Sequence, residues 1–572
     1  AGTVAAADAY ARVSGRLAVA TTTYGAGFTN TLTALAEAAQ ARTPMLLVVG
    51  DAPTTGPRPW DVDQEMLAAA MGVRTHTLTL EDPEGAVDRA AASALGARKP
   101  VVLAIPYDLA TAPTAPTAPP HGARPEAADG IDLDDPEVVR SLLAATRPQA
   151  EAQTLGVATP GVTTPGNTGG GHPGTPPPGG AQAPAVPTPA AGRIAEAARL
   201  LAGAARPVVI AGRGAPLSGA AAELGAIAAQ LGALTATTAL ARGIFPEPAY
   251  DLGITGGFGQ EAAMARIAEA DVALVVGAGL NQFAMRFGEL FGAGTAVVRV
   301  DLDEAPAPKT AHPIRHLLLR GDARRTLLAL SEALAELGSA PSRWREATAG
   351  LEPGGALRVR DRGTTDPDGL IREPGGERLD PRAVAARLAA LLPEDRHVTS
   401  DGGHFIGWAN MFWPVASPER MIMVGTAYQT IGLGFSTVAG VAAAAPGSTV
   451  VLSTGDGGGL MALADLETAI RTAPSCVVVV WNDGAYGAEV HLYGLMGLDE
   501  RPMRIPDVDF AGVASALGAT GVRVERLNDL DALAEWRAAG CAGTILLDCR
   551  ISRSVVAPYQ REIQRVNGLD PE

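Results

Sequence analysis

Short runs of consecutive aliphatic residues constrain this chain more than any other feature. They include Met45-Leu46-Leu47-Val48-Val49, Val101-Val102-Leu103-Ala104-Ile105, Val272-Ala273-Leu274-Val275-Val276-Gly277, Val450-Val451-Leu452-Ser453-Thr454 and Cys476-Val477-Val478-Val479-Val480-Trp481. A strand with no polar face must be covered on both sides, which predicts parallel sheets sandwiched between helices. Leu17-Ala18-Val19-Ala20, Pro207-Val208-Val209-Ile210-Ala211-Gly212 and Val297-Val298-Arg299-Val300-Asp301 repeat the rhythm between helix-like stretches. The expected architecture is α/β, with three doubly wound parallel-sheet domains over 1–109, 191–338 and 379–560. A chain of 572 residues is long enough for several cores.

Between the first two blocks, residues 110–190 turn rich in Pro, Gly, Thr and Ala, and are expected to form a disordered insert or linker. Residues 339–378 read as a second linker. The formal net charge of −16 argues against broad nucleic-acid binding, which draws on a surplus of Lys and Arg. No apolar stretch has the length of a membrane span, so no membrane partner is expected. Cys476, Cys541 and Cys549 are too few and too scattered for a disulfide framework or a zinc site. The start at Ala1 lacks the basic and apolar segments of a signal peptide. These features together place the protein in the cytoplasm. The chain also starts without Met, and is expected to begin mid-protein.

The sharpest chemical signal lies in the third block. Val450–Thr454 runs into Gly455-Asp456-Gly457-Gly458-Gly459, with a helix expected from Leu460 to about Thr472. The next strand, Cys476–Trp481, runs into Asn482-Asp483-Gly484-Ala485-Tyr486-Gly487. Two acidic residues thus stand at the carboxyl ends of adjacent strands joined by one crossover helix. Mg2+ takes oxygen ligands in an octahedron, usually one or two from protein and the rest from phosphate and water. The glycines allow close backbone approach to a phosphate at a helix start.

Gly-Asp-Gly after one strand and Asn-Asp after the next, with 483 − 456 = 27, resembles the motif of thiamine-diphosphate-dependent enzymes. The resemblance implies that Asp456, Asp483 and the carbonyl of Ala485 bind the metal. It also implies that Gly455, Gly457, Gly458, Tyr486 and Gly487 border the cofactor. The usual Asn-Asn closing pair is Asn-Asp here. Thr426-Ala427-Tyr428-Gln429-Thr430-Ile431-Gly432-Leu433-Gly434 resembles the family segment that carries a bulky apolar residue under the folded cofactor, here Ile431, with Gln429 beside it. Thr22-Thr23-Tyr24-Gly25-Ala26-Gly27-Phe28-Thr29-Asn30 is similar to the glycine turn at the aminopyrimidine, giving Tyr24 and Gly25. Asp8-Ala9-Tyr10-Ala11-Arg12 is similar to the helix before it. The block order matches the superfamily of acetolactate synthase, pyruvate decarboxylase and benzoylformate decarboxylase. It implies a pyrimidine-binding first domain, a Rossmann-like middle domain and a diphosphate-binding third domain. It also implies a homodimer or homotetramer, with the cofactor between the first domain of one subunit and the third of another.

Family enzymes carry an activating glutamate about ten residues before the tyrosine that matches Tyr10, a position immediately before Ala1. The natural protein is therefore expected to be longer, and this chain to turn over poorly. The resemblance suggests a 2-keto acid decarboxylase or carboligase like acetolactate synthase. The alternatives are a benzoylformate-decarboxylase-like enzyme for a bulkier keto acid, and a cofactor-binding subunit without turnover. Three catalytic candidates bear on the reaction. Glu489, three residues after Tyr486, matches an acidic position of the pyruvate decarboxylases, where partial burial would raise its pKa for proton relay. Gln64, in Trp60-Asp61-Val62-Asp63-Gln64-Glu65, resembles the active-site-loop glutamine of acetolactate synthases. His404, in Asp401-Gly402-Gly403-His404-Phe405, is a candidate substrate or diphosphate contact, with His491 a lesser one. The FAD of acetolactate synthases is left open. Gly212-Arg213-Gly214 and Gly277-Ala278-Gly279 suit a nucleotide or simply tight turns, and Gly277–Phe283 lacks the basic residue that helps to hold flavin.

Overall fold

The structure, a computed structural model, describes residues 1–113, 187–352, 354–358, 366–374 and 376–569. The expected insert therefore lies, over 114–186, outside the described residues. Of the described residues, those within 1–111 and 187–569 pack as one unit.

The first sheet contains Ala18–Thr22 (β1), Met45–Asp51 (β2), Arg74–Thr77 (β3) and Pro100–Pro106 (β4), all parallel in the order β1-β2-β4-β3. The second contains Pro207–Ala211 (β5), Leu234–Thr237 (β6), Asp251–Ile254 (β7), Val272–Val276 (β8), Ala296–Asp301 (β9) and Arg315–Arg320 (β10), in the order β10-β9-β8-β5-β6-β7. A hairpin of Leu370–Glu373 (β11) and Gly376–Leu379 (β12) occupies the stretch read as the second linker. The third parallel sheet contains Arg396–Ser400 (β13), Met421–Met423 (β14), Thr449–Gly455 (β15), Ser475–Asn482 (β16), Thr520–Val524 (β17) and Gly543–Arg550 (β18). Its order is β14-β13-β15-β16-β18-β17.

The strands β5, β8 and β15 are buried at every residue, as their unbroken apolar runs require. One run departs from that expectation. β1 is an edge strand with alternating burial, and Val19 is 59% exposed. The helix expected from Leu460 also begins earlier, at Asp456, and is broken into Asp456–Met461 and Ala464–Thr472. Asp456 is the first residue of that helix, and its side chain accepts the adjacent Gly457 N–H.

The first and third domains share a core. The helix Gly2–Ser14 crosses the helix Gly434–Ala444, and Val4, Leu35 and Phe28 join Phe435, Val438 and Leu466 in one apolar cluster. The crossing is so close that a Cβ at Gly440 would stand 1.9 Å from the Ala6 carbonyl oxygen. Among the described residues no helix is long and apolar enough to cross a membrane.

Candidate active site

In the third sheet the chain reverses its direction of travel between β13 and β15, and ligands of doubly wound sheets bind outside such carboxyl ends. Three strands of this edge run into acidic residues, Asp401 after β13, Asp456 after β15 and Asp483 after β16, and the last two stand together. Asp456 Oδ2 accepts the Gly484 N–H at 2.9 Å, tying the two loops together, and Asp483 Oδ1 accepts the Ala485 N–H at 3.0 Å. Asp456 is 3% exposed and Asp483 7%. Among the described residues neither forms an ion pair.

Burial pushes the Asp456 pKa up to about 6. Burial, and then the charge of Asp456, hold that of Asp483 well above the ordinary range. Two adjacent buried carboxylates without a cation are unfavourable on their own. A divalent ion with oxygen preference removes that conflict, so the donor set fits Mg2+.

These residues line one face of a cavity of about 670 Å3. Of the residues singled out by sequence, His404, Gln429, Ile431, Gly455, Gly457, Gly458, Tyr486, Gly487 and Glu489 all line it. Ile431 is half-buried, and Gln429 is held at φ +60, an uncommon conformation for a non-glycine residue. Gly402 must be glycine because a Cβ there would meet the Thr430 carbonyl oxygen at 2.5 Å. Glu489 departs from the sequence expectation. It is exposed, at the end of the short helix Gly487–Glu489, rather than partly buried.

His404 is buried, and its Nε2 accepts the Ala557 N–H at 3.0 Å, which places its proton on Nδ1. Burial and the adjacent His491 push its pKa down to about 3, so the ring stays neutral. The two imidazole centroids are 4.6 Å apart.

Tyr24, Gly25 and Gln64 are gathered elsewhere, outside the lining of this cavity. Gln64 is the first residue of the helix Gln64–Ala70 and is buried. Its Oε1 accepts the Gly25 N–H at 2.9 Å, and its Nε2 donates to the Gly50 carbonyl at 2.8 Å. The amide thus supports the glycine turn, while Tyr24 lies under the Arg58 guanidinium.

Sequence reasoning passed over Asp401 and the aromatic wall. Asp401 accepts the N–H groups of Gly402 at 2.9 Å and Gly432 at 3.0 Å, fixing the start of the segment after Ile431. The repeat of Asp-Gly-Gly at 401–403 and 456–458 was its available signal. Phe258, Phe283 and Tyr559 pack edge-to-face along the cavity, with centroids 4.8–5.7 Å apart. They come from two middle-domain loops and the helix Pro558–Val566, a convergence that no local pattern encodes.

A second cavity, of about 780 Å3, lies at the β5/β8 switch of the middle domain. The glycines there are used in packing one turn on the other: a Cβ at Gly212 would meet Ala278 Cα at 2.5 Å.

Three family models match in order: the N-terminal TPP binding domain of thiamine pyrophosphate enzymes over residues 1–71, their central domain over 194–330 and their C-terminal TPP binding domain over 401–549. The sulfoacetaldehyde acetyltransferase of Rhodobacter capsulatus is 27% identical over 55% of this chain and 56% of its own. The acetolactate synthase of Bacillus subtilis is 28% identical over 31% of each chain. The chain spans about half the length, or less, of these curated relatives. The solved structure of benzoylformate decarboxylase from Polynucleobacter necessarius superposes with a TM-score of 0.68 at 18% identity, over 96% of this chain and 90% of that one. That likeness is one of fold.

Proposed function

We propose, from the premise that the chain belongs to the thiamine pyrophosphate enzymes, that it serves a Mg2+-dependent decarboxylase or carboligase of 2-keto acids resembling acetolactate synthase. The observation that carries this reading is the buried Asp456 and Asp483 pair at adjacent strand ends, on the wall of a cavity that also contains Ile431.

Asp456, Asp483 and the Ala485 carbonyl would hold Mg2+, and the backbone of Gly455, Gly457 and Gly458 would approach the diphosphate. Tyr486 and Gly487 border the same end of the cavity. Ile431 and Gln429 would support the thiamine rings. When bound, the cofactor supplies an electron sink beside the keto carbon as carbon dioxide leaves. Phe258, Phe283 and Tyr559, which line the same cavity, would limit access of water to the reacting carbon. Neutral His404 presents Nδ1–H as a donor and, at its low pKa, cannot serve as a general acid near pH 7. Glu489, exposed and among the residues lining the cavity, would exchange a proton between solvent and the reacting carbon.

Tyr24, Gly25 and Gln64 lie outside the lining of their own chain's cavity, which supports a homodimer or homotetramer in which a second copy's first domain completes the site. The aromatic wall favours a second reading, a benzoylformate-decarboxylase-like enzyme for a bulkier keto acid.

Calorimetric titration of thiamine diphosphate with and without Mg2+, followed by product analysis from pyruvate and from benzoylformate, tests both readings. Magnesium-dependent binding with acetolactate as product supports the first; an aldehyde from benzoylformate alone supports the second. Failure to bind the cofactor under any metal condition would sink both.

A further inference from the structure

A buried ionic network in the first domain reaches across to the wall of the cofactor cavity. Arg12, in the helix Gly2–Ser14, donates from Nη2 to Asp8 Oδ2 at 2.6 Å and to Glu37 Oε1 at 2.9 Å. The three side chains are only 4%, 1% and 0% exposed. Charges this deep are costly unless every donor and acceptor is matched. Here the remaining groups are matched by the third domain: Arg12 Nη1 donates to the Met423 carbonyl at 2.7 Å, and Glu37 Oε2 accepts the Tyr428 N–H at 2.8 Å.

Those two backbone groups bracket a stretch of the cavity wall. Met423, Gly425, Thr426, Ala427, Gln429 and Ile431 all line it. Within it the Thr430 N–H returns to the Gly425 carbonyl at 2.8 Å, and just beyond it the Gly432 N–H is held by Asp401. Gln429, in its left-handed conformation, and Ile431 therefore sit between two buried carboxylates, Glu37 from the first domain and Asp401 from the third. Apolar side chains would fill the same space without fixing a carbonyl and an amide five residues apart. The directional bonds are what the ionic network adds.

We propose that Arg12 and Glu37 are positioning residues by which the first domain braces the cavity wall of its own chain, setting Ile431 against the thiamine rings. The part concerning thiamine rests on the function proposed above. The first domain would then have two separate tasks: the Tyr24, Gly25 and Gln64 turn for a second copy, and this brace for its own.

The test uses the full chain and two variants, Glu37→Gln, which keeps shape but loses one charged acceptor, and Arg12→Lys, which cannot reach three partners at once. Hydrogen exchange of the ligand-free proteins should show amides 425–432 exchanging at least about tenfold faster in the variants, with β15 and β16 unchanged. Calorimetry in Mg2+ should show thiamine diphosphate bound about tenfold more weakly. Inorganic diphosphate, which needs only the metal end of the site, should bind as before. Unchanged exchange over 425–432 in either folded variant overturns the brace, as does equal weakening of both ligands. A wild-type chain that binds no thiamine diphosphate refutes the functional reading instead, and the exchange data still decide the brace.

Discussion

Replacing Asp456 with asparagine should make the metal-free protein more stable at pH 8 while abolishing Mg2+-dependent binding of thiamine diphosphate. Burial pushes this carboxyl up to about 6, from an ordinary aspartate value of 3.8. The folded state therefore holds the proton more tightly than the unfolded chain, and stability falls as pH rises through that window. At about 1.4 kcal/mol per tenfold change in proton affinity, keeping Asp456 ionised at pH 8 costs the fold about 3 kcal/mol. Asparagine removes the charge and keeps one acceptor, but turns an amide towards a second N–H, which returns about 1–2 kcal/mol. The balance, about 1–2 kcal/mol, corresponds to a rise of roughly 1–2 °C in the unfolding midpoint of EDTA-treated protein, at about 2.1 cal/mol/K of unfolding entropy per residue. As pH falls from 7 towards 4 the advantage should shrink and vanish, because wild-type Asp456 becomes protonated. Scanning calorimetry across that range is the assay. A lowered midpoint at pH 8, or an advantage independent of pH, would refute the claim that the pair is electrostatically frustrated without its cation.

Two other sites give independent tests. Gly440→Ala places a methyl against the Ala6 carbonyl and should cost about 1–3 kcal/mol in urea unfolding; an unchanged midpoint would show that the Gly2–Ser14 helix is not held this closely. His404, with its pKa lowered to about 3, contributes stability that is complete above an ordinary value of 6.5 and is lost as pH falls below it. His404→Gln should therefore flatten the decline between pH 7.5 and 5 by about 2 kcal/mol, and parallel curves for the two proteins would contradict that.

The parallel strands were legible because an unbroken run such as Val477–Val480 can only be buried on both faces. The polar strand Arg396–Ser400 and the short Arg74–Thr77 were not, since their pairing comes from neighbours distant in sequence. The Asp456 and Asp483 pair was legible for a local reason: a strand followed by Gly-Asp or Asn-Asp fixes where each carboxylate emerges. Gln64 was read as a catalytic candidate because sequence shows its residue type and loop. Only the fold reveals that both ends of its amide are bonded to backbone at Gly25 and Gly50.

The sequence by itself determined three α/β blocks, their order, and two acidic loops beside glycine turns. Periodicity and local turn chemistry act over a few residues and need no partner from elsewhere in the chain. Tertiary structure alone decided that Asp401 holds the Gly432 N–H, that Phe258, Phe283 and Tyr559 share one wall, and that Arg12 and Glu37 reach Met423 and Tyr428. Each of these depends on strand order and domain packing, which for Arg12 and Glu37 bring residues about four hundred positions apart to within a hydrogen bond of one another.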